Sequence, residues 1–73
     1  MTRQETEVLH AIGRQLREAR LKRGLTQVEV ANKAKLNDGY YSRVERGEAN
    51  LSVVTLESIL KVLKVKSSKI LPF

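Results

Sequence analysis

Leu25-Thr26-Gln27-Val28-Glu29-Val30-Ala31, followed by Leu36 and then by Tyr41-Ser42-Arg43-Val44-Glu45-Arg46-Gly47, is the stretch that decides how this chain folds. Thr26 is placed to accept from the free amides at the start of a helix. Glu29, three residues on, is placed to accept in return from the Thr26 amide, so the spacing reads as a capping box. Ala31 and Ala34 leave one side of that helix thin enough for a second helix to cross closely. Asn37 suits the cap of the next helix and Gly47 its stop. Two short helices joined by a tight turn make a helix-turn-helix.

On either side of this unit the pattern stays helical. From Thr6 to Arg23 the apolar residues Val8, Leu9, Ile12, Leu16 and Ala19 recur at helical spacing, and Gly24 is placed to end that helix. The second helix is expected over residues 27 to 34 and the third over 38 to 46, with Leu36 anchoring the turn between them. Gly47-Glu48-Ala49-Asn50 reads as a polar loop. Ser52 then caps a fourth helix whose Leu56, Ile59, Leu60 and Leu63 fall at i, i+3, i+4 and i+7. After Val65 a short segment starts with Ser67 or Ser68 as cap and is limited by Pro72. Val28, Val30, Val53, Val54 and Val65 favour strand by type, but they sit inside capped helical patterns. The expectation is one all-α domain over 1–73, with 1–6 disordered, the helix-turn-helix over 26–46, and a dimerisation segment over 64–73.

Size and charge narrow the function. A chain of 73 residues has room for one domain, which buries about 60% of its unfolded surface. Fourteen Lys and Arg against eight Asp and Glu give a formal charge of +6, which favours a polyanionic partner. Charge alone is equally compatible with solubility or loose membrane attraction. Without cysteine there is no disulfide, thiolate nucleophile or cysteine-ligated metal. The start, Met1 to Glu7, lacks the apolar stretch of a signal peptide, and no run approaches membrane-spanning length. The expected location is therefore the cytoplasm, at the nucleoid and away from the membrane. His10 is the sole histidine and has no evident metal partner. Glu5, Glu7, Glu18, Glu29, Glu48 and Glu57 are scattered rather than paired for acid–base work. The glycines Gly13, Gly24, Gly39 and Gly47 form no phosphate cradle. No enzymatic activity, metal or cofactor is expected.

From Ile12 to Leu71 the chain closely resembles the phage-repressor and Cro-type, or XRE-like, helix-turn-helix family. The matching pieces are Ile12-Gly13-Arg14-Gln15-Leu16-Arg17, Arg20, Gly24-Leu25-Thr26-Gln27, Ala31, Ser42-Arg43-Val44-Glu45-Arg46-Gly47, and Leu56 with Leu63-Lys64-Val65. They run collinearly over roughly four-fifths of the chain. Asn50-Leu51-Ser52 through Leu56-Glu57 also looks like the small controller proteins of restriction-modification systems. The resemblance implies a compact five-helix, lambda-repressor-like DNA-binding domain whose third helix lies in the major groove of double-stranded DNA. By the same resemblance, Gln27 at the first turn of helix two grips a phosphate, while Asp38, Gly39, Tyr40 and Arg43 face the DNA. Arg46 and Asn50 pass the sugar-phosphate backbone. With Asn37 and Ser42 these complete the set of DNA-binding candidates. Arg20 and Glu45 match an internal ion pair between helices one and three.

Three positions depart from the family pattern. Lys35 stands where a glycine often closes helix two, and a left-handed backbone there costs on the order of 1 kcal/mol. Gly39 lies inside the reading helix, at roughly 0.5–1 kcal/mol relative to alanine. Tyr41 fills a slot usually aliphatic. Because positions 38 and 39 carry no Gln, Arg or Asn, Arg43 becomes the main candidate for a two-pronged contact to guanine. Asp38 is open to two readings, an acceptor for cytosine N4 or an ordinary first-turn acid. Spacing alone lets either Tyr40 or Tyr41 join the buried face; the family register puts Tyr41 inside and Tyr40 toward DNA.

Leu51, Val54, Ile70, Leu71 and Phe73 either close the monomer core or, being more apolar surface than so small a domain covers from within, leave an exposed patch that marks a partner surface. In many family members this region forms a twofold dimer, which would set two reading helices about 34–36 Å apart. The combined expectation is a homodimeric, sequence-specific transcriptional regulator without a sensor domain. It binds a palindromic operator and blocks or assists RNA polymerase according to operator position. A protein-interaction module of antitoxin or coactivator type, with DNA secondary, is the rival; the basic Arg14, Arg17, Arg43 and Arg46 favour DNA. Sequence-independent architectural binding is weaker, since no apolar minor-groove wedge is visible.

Overall fold

The computed structural model describes residues 2–70, and within them the chain forms four α-helices and one closing 3-10 turn. Helix α1 spans Arg3–Lys22, α2 Gln27–Lys33, α3 Asp38–Glu45 and α4 Val53–Leu63, and the turn covers Ser67–Lys69. There is no strand among the described residues. The expectation of five helices is thus corrected to four: after Val65 the chain makes a single turn of three residues rather than a helix. Of the stretch 1–6 expected to be disordered, the described residues are ordered from Thr2, because α1 already begins at Arg3. Thr2 caps it by accepting from the Glu5 amide at 3.2 Å.

Each later helix starts on the residue whose chemistry asks for it. Thr26 and Glu29 exchange hydrogen bonds of 3.0 and 2.9 Å, a complete capping box. Asn37 Oδ1 accepts from the Tyr40 amide at 3.1 Å, and Ser52 Oγ from the Thr55 amide at 3.1 Å. The stops divide into two kinds. Gly24 and Gly47 close α1 and α3 with φ of 68° and 72°, where no Cβ is strained. Lys35 and Lys64 take φ of 59° and 56° without that freedom, each at about 1 kcal/mol. A cation next to exposed helix carbonyls offsets part of this. Arg23 adds a longer-range stop, its Nε donating to the Leu63 carbonyl at 3.0 Å and so satisfying the end of α4.

The apolar stripes of the four helices meet in one core, in which Leu16, Val30, Tyr41, Ile59 and Leu63 are fully buried. Each such aliphatic side chain contributes about 1.5–3 kcal/mol relative to exposure. Helix α3 packs on α1 and α2, and α4 packs on α2. That arrangement holds α3 from behind and leaves its far side to solvent.

Candidate nucleic-acid interface

The inner side of α3 is fixed first by contact of backbones. A Cβ placed on Gly13 of α1 would lie 2.4 Å from the Glu45 carbonyl oxygen and 2.6 Å from that of Val44. One placed on Gly47 would meet the backbone of His10 at 2.7 Å. Only glycine lets α1 and the end of α3 come this close. Sequence reasoning did not assign this role to Gly13, although a glycine inside a helical pattern is a known sign of close packing.

Beside this seam a polar hub joins three helices. Arg20 Nε donates to Glu45 Oε2 at 2.8 Å and Arg20 Nη2 to Glu45 Oε1 at 3.2 Å, a two-pronged pair. The two side chains are only 11% and 2% exposed. Arg20 Nη1 donates to the Leu25 carbonyl at 3.0 Å, and Gln27 Nε2 to Glu45 Oε1 at 3.0 Å, which ties the start of α2 to the same carboxylate. Burial by itself would raise the Glu45 carboxyl, but the hydrogen bonds from Arg20 and Gln27, with the Tyr41 hydroxyl alongside, hold it below its ordinary range. The Glu45 hydrogen bond raises the Arg20 guanidinium further above its ordinary value. Tyr41 is buried with its hydroxyl unpartnered. Burial, and then the neighbouring carboxylate, push its phenol far above the ordinary value.

The outer side is the reverse. Asp38, Gly39 and Arg43 are exposed, and Gly39 and Arg43 border a shallow groove together with Asn37, Ser42 and Arg46. Arg46 is held in an extended pose by bonds of 3.2 Å to Ser42 Oγ and 3.1 Å to Glu48 Oε1. Arg43 makes no such bond among the described residues and points its charge into water. An added Cβ at Gly39 would press on one group only, the capping oxygen Asn37 Oδ1, at 3.2 Å.

Several expected positions are corrected. Tyr40 does not direct its hydroxyl toward a DNA phosphate; it donates to the Asn50 carbonyl at 2.6 Å. The loop before α4 passes α3 here, and Tyr40 lines an open, mostly apolar cavity with Val8, Leu9 and Leu51. Tyr40 and Asn50 therefore clasp α3 to that loop, although the ring still borders the outer groove. Gln27 donates its carboxamide nitrogen to Glu45, which leaves its second amide hydrogen and its backbone amide for a phosphate. Ile70 is not exposed but 3% accessible in the core, because the 3-10 turn folds it back beside Ala19 and Leu63. Leu51 is half-buried, whereas Val54 stays exposed. Leu71 and Phe73 lie outside the described residues. The sequence reading passed over Val53, which is more exposed than Val54.

Among the described residues no helix is long and apolar enough to cross a membrane, and no three His, Cys, Asp or Glu side chains gather to hold a metal. The helix-turn-helix family matches residues 16–70 of this chain. An immunity repressor protein of Bacillus phage phi105 is 37% identical over 59 residues, covering 81% of this chain. The chain spans only 41% of that repressor's length. Among solved structures, the restriction-modification controller protein C.AhdI of Aeromonas hydrophila superposes with a TM-score of 0.81 at 32% identity, over 85% of this chain and 94% of its own. The controller protein C.Esp1396I, solved as a tetramer in complex with its natural 35 base-pair operator, has a TM-score of 0.77 at 34% identity, over 84% of this chain and 80% of its own.

Proposed function

This chain belongs to the helix-turn-helix family of DNA-binding regulators, and from that membership we propose that it binds a palindromic operator as a homodimer, with α3 in the major groove. The observation that carries the proposal is the contrast between the two sides of α3. Its inner side is locked to α1 and α2, while Asp38, Gly39 and Arg43 stand free beside Arg46. In this reading Arg43 makes the two-pronged contact to guanine O6 and N7, and Gly39 lets the helix backbone approach the bases. Asn37 sets the first turn of the helix. Ser42, Arg46, Asn50 and Gln27 serve the sugar-phosphate backbone, Gln27 with the amide hydrogen that Glu45 leaves over.

The protein acts in the cytoplasm at the nucleoid and modulates RNA polymerase according to where the operator lies. No catalytic step is assigned to it. Phosphate contacts make binding salt-dependent, each lost cationic contact lowering the log–log slope by about 0.9. Selection of bound fragments from a random duplex library tests the whole reading. The expected result is a twofold-symmetric consensus with half-sites about one helical turn apart. Recovery of fragments without a shared sequence would contradict it.

A further inference from the structure

The side of α1 next to the end of α3 carries two arginines that neither the core nor the outer groove employs. Gly13 and Arg20 both meet Glu45, Gly13 pressing on its carbonyl and Arg20 donating to its carboxylate at 2.8 Å. Arg17, four residues after Gly13 and three before Arg20, lies between them on the same side of the helix. Arg14, three residues before Arg17, is its neighbour on the helix surface. Both arginines are exposed, and neither belongs to an ion pair among the described residues. We propose that Arg14 and Arg17 grip the sugar-phosphate backbone of the duplex that flanks the operator half-site, a contact that reads no bases. The inference rests on the DNA-binding reading above and extends it onto α1.

Nothing within the fold asks for these two charges. The Glu45 carboxylate already accepts from Nε and Nη2 of Arg20 and from Gln27. The last carbonyls of α3 are satisfied by amides of the following turn: Ser42 by Arg46, Val44 by Gly47 and Arg43 by Glu48. The end of α3 is thus closed without a neighbouring cation. Glu18 is spaced for an i,i+4 pair with Arg14, and that pair is not made. Position supplies the partner instead. Gln27 and Arg46, both assigned above to the sugar-phosphate backbone, converge on the same point, Gln27 through its bond to Glu45 and Arg46 as the next residue. Arg17 and then Arg14 continue that row past the end of α3. With α3 in the groove, a row leaving its end runs over the phosphate wall and on to the adjoining duplex. Phosphate charge recurs there about every 1.7 Å of helix axis, so two cations find partners whatever the sequence. The forked guanidinium matches phosphate oxygens in geometry as well as charge. An acidic protein segment would match the charge too, but continuity with Gln27 and Arg46 favours DNA.

Salt dependence and flank length test the contact. Affinity is measured against salt concentration for the unaltered chain, Arg14→Ala, Arg17→Ala, the double variant and Lys22→Ala, on the selected operator with short and with extended flanks. Lys22 is the control, an exposed cation of the same helix that lines a cavity with Leu63 and Lys69 away from α3. On the extended duplex each arginine lost should lower the log–log slope by about 0.9, while Lys22→Ala leaves it unchanged. From about 50 to 200 mM salt the double variant should then lose roughly tenfold less affinity than the unaltered chain. The unaltered chain should gain affinity from the extended flanks, and the double variant should gain none. Preference for the operator over random duplex of equal length, and the urea midpoint, should stay as they were. An unchanged slope in the double variant, a slope lowered equally by Lys22→Ala, or a flank gain that survives without both arginines would overturn the proposal. A random library that returns no shared sequence, with slopes on random duplex still lowered by the arginine variants, rejects the operator reading and leaves this contact standing.

Discussion

On its inner side α3 meets α1 backbone to backbone at Gly13, buries Tyr41 and Val44, and anchors Glu45 with hydrogen bonds from Arg20 and Gln27. On its outer side Asp38, Gly39 and Arg43 are in solvent, and the one well-held cation, Arg46, is bonded only to Ser42 and Glu48. The same eight-residue helix thus has one side over-determined and one uncommitted. The difference teaches where specificity resides. In the proposed reading, the groups that read DNA can be changed with little effect on folding, while their angle of presentation is set by the buried residues on the inner side of the helix.

The largest way to break this contrast is to strand the Arg20 guanidinium. Glu45→Ala should destabilise by about 3–5 kcal/mol, a large share of the stability of so small a domain, read as a fall in the urea midpoint. Replacing both partners, Arg20→Met with Glu45→Leu, should recover much of that loss, since no buried charge is left alone. An unchanged midpoint for Glu45→Ala would mean that the inner side is not held by this pair.

Next comes one substitution made on both sides of the helix. Gly13→Ala forces a methyl into two backbone carbonyls that have no flexible end to yield, and should destabilise by about 1–3 kcal/mol or more. Gly39→Ala gains up to about 0.5–1 kcal/mol by removing a glycine from a helix but presses on the Asn37 capping oxygen at 3.2 Å, so its net effect should be small. Thermal unfolding of the pair decides, and equal losses would erase the contrast between the two sides.

The smallest effect is the pH dependence. The folded state holds Glu45 below its ordinary range. Its contribution is therefore present above the unfolded carboxyl value and is lost as pH falls through the lower, folded one. Urea midpoints should decline in that acid window for the unaltered chain. The decline should be shallower for the double replacement of Arg20 and Glu45.

Local signals made most of the fold readable. Thr26 with Glu29, Asn37, Ser52, Gly24 and Gly47 act within a few residues of where they sit, and each starts or ends a helix where its spacing indicates. What was hidden depends on distant parts of the chain. The tight fit at Gly13 involves carbonyls some thirty residues away, and the Arg23 bond to Leu63 spans 40 positions. Nothing local told Tyr40 to favour the Asn50 carbonyl over solvent; that choice needed the loop to return past α3. The final turn stays short of a helix and buries Ile70, for which apolar composition alone could not separate a core role from a partner surface. For the candidate interface, the exposure of Arg43 and Arg46 on the outer side of α3 was legible. The inward turn of Gln27 was not, because it is drawn by a carboxylate 18 residues on.

The most direct measurement is the affinity of Arg43→Ala for the selected operator and for random duplex of equal length, alongside its urea midpoint. The account predicts a loss of about 1–3 kcal/mol on the operator, nearly intact affinity for random DNA, and a midpoint within about 0.5 kcal/mol of the original. Equal losses on both duplexes, or no loss on either, would contradict a base-reading outer face of α3.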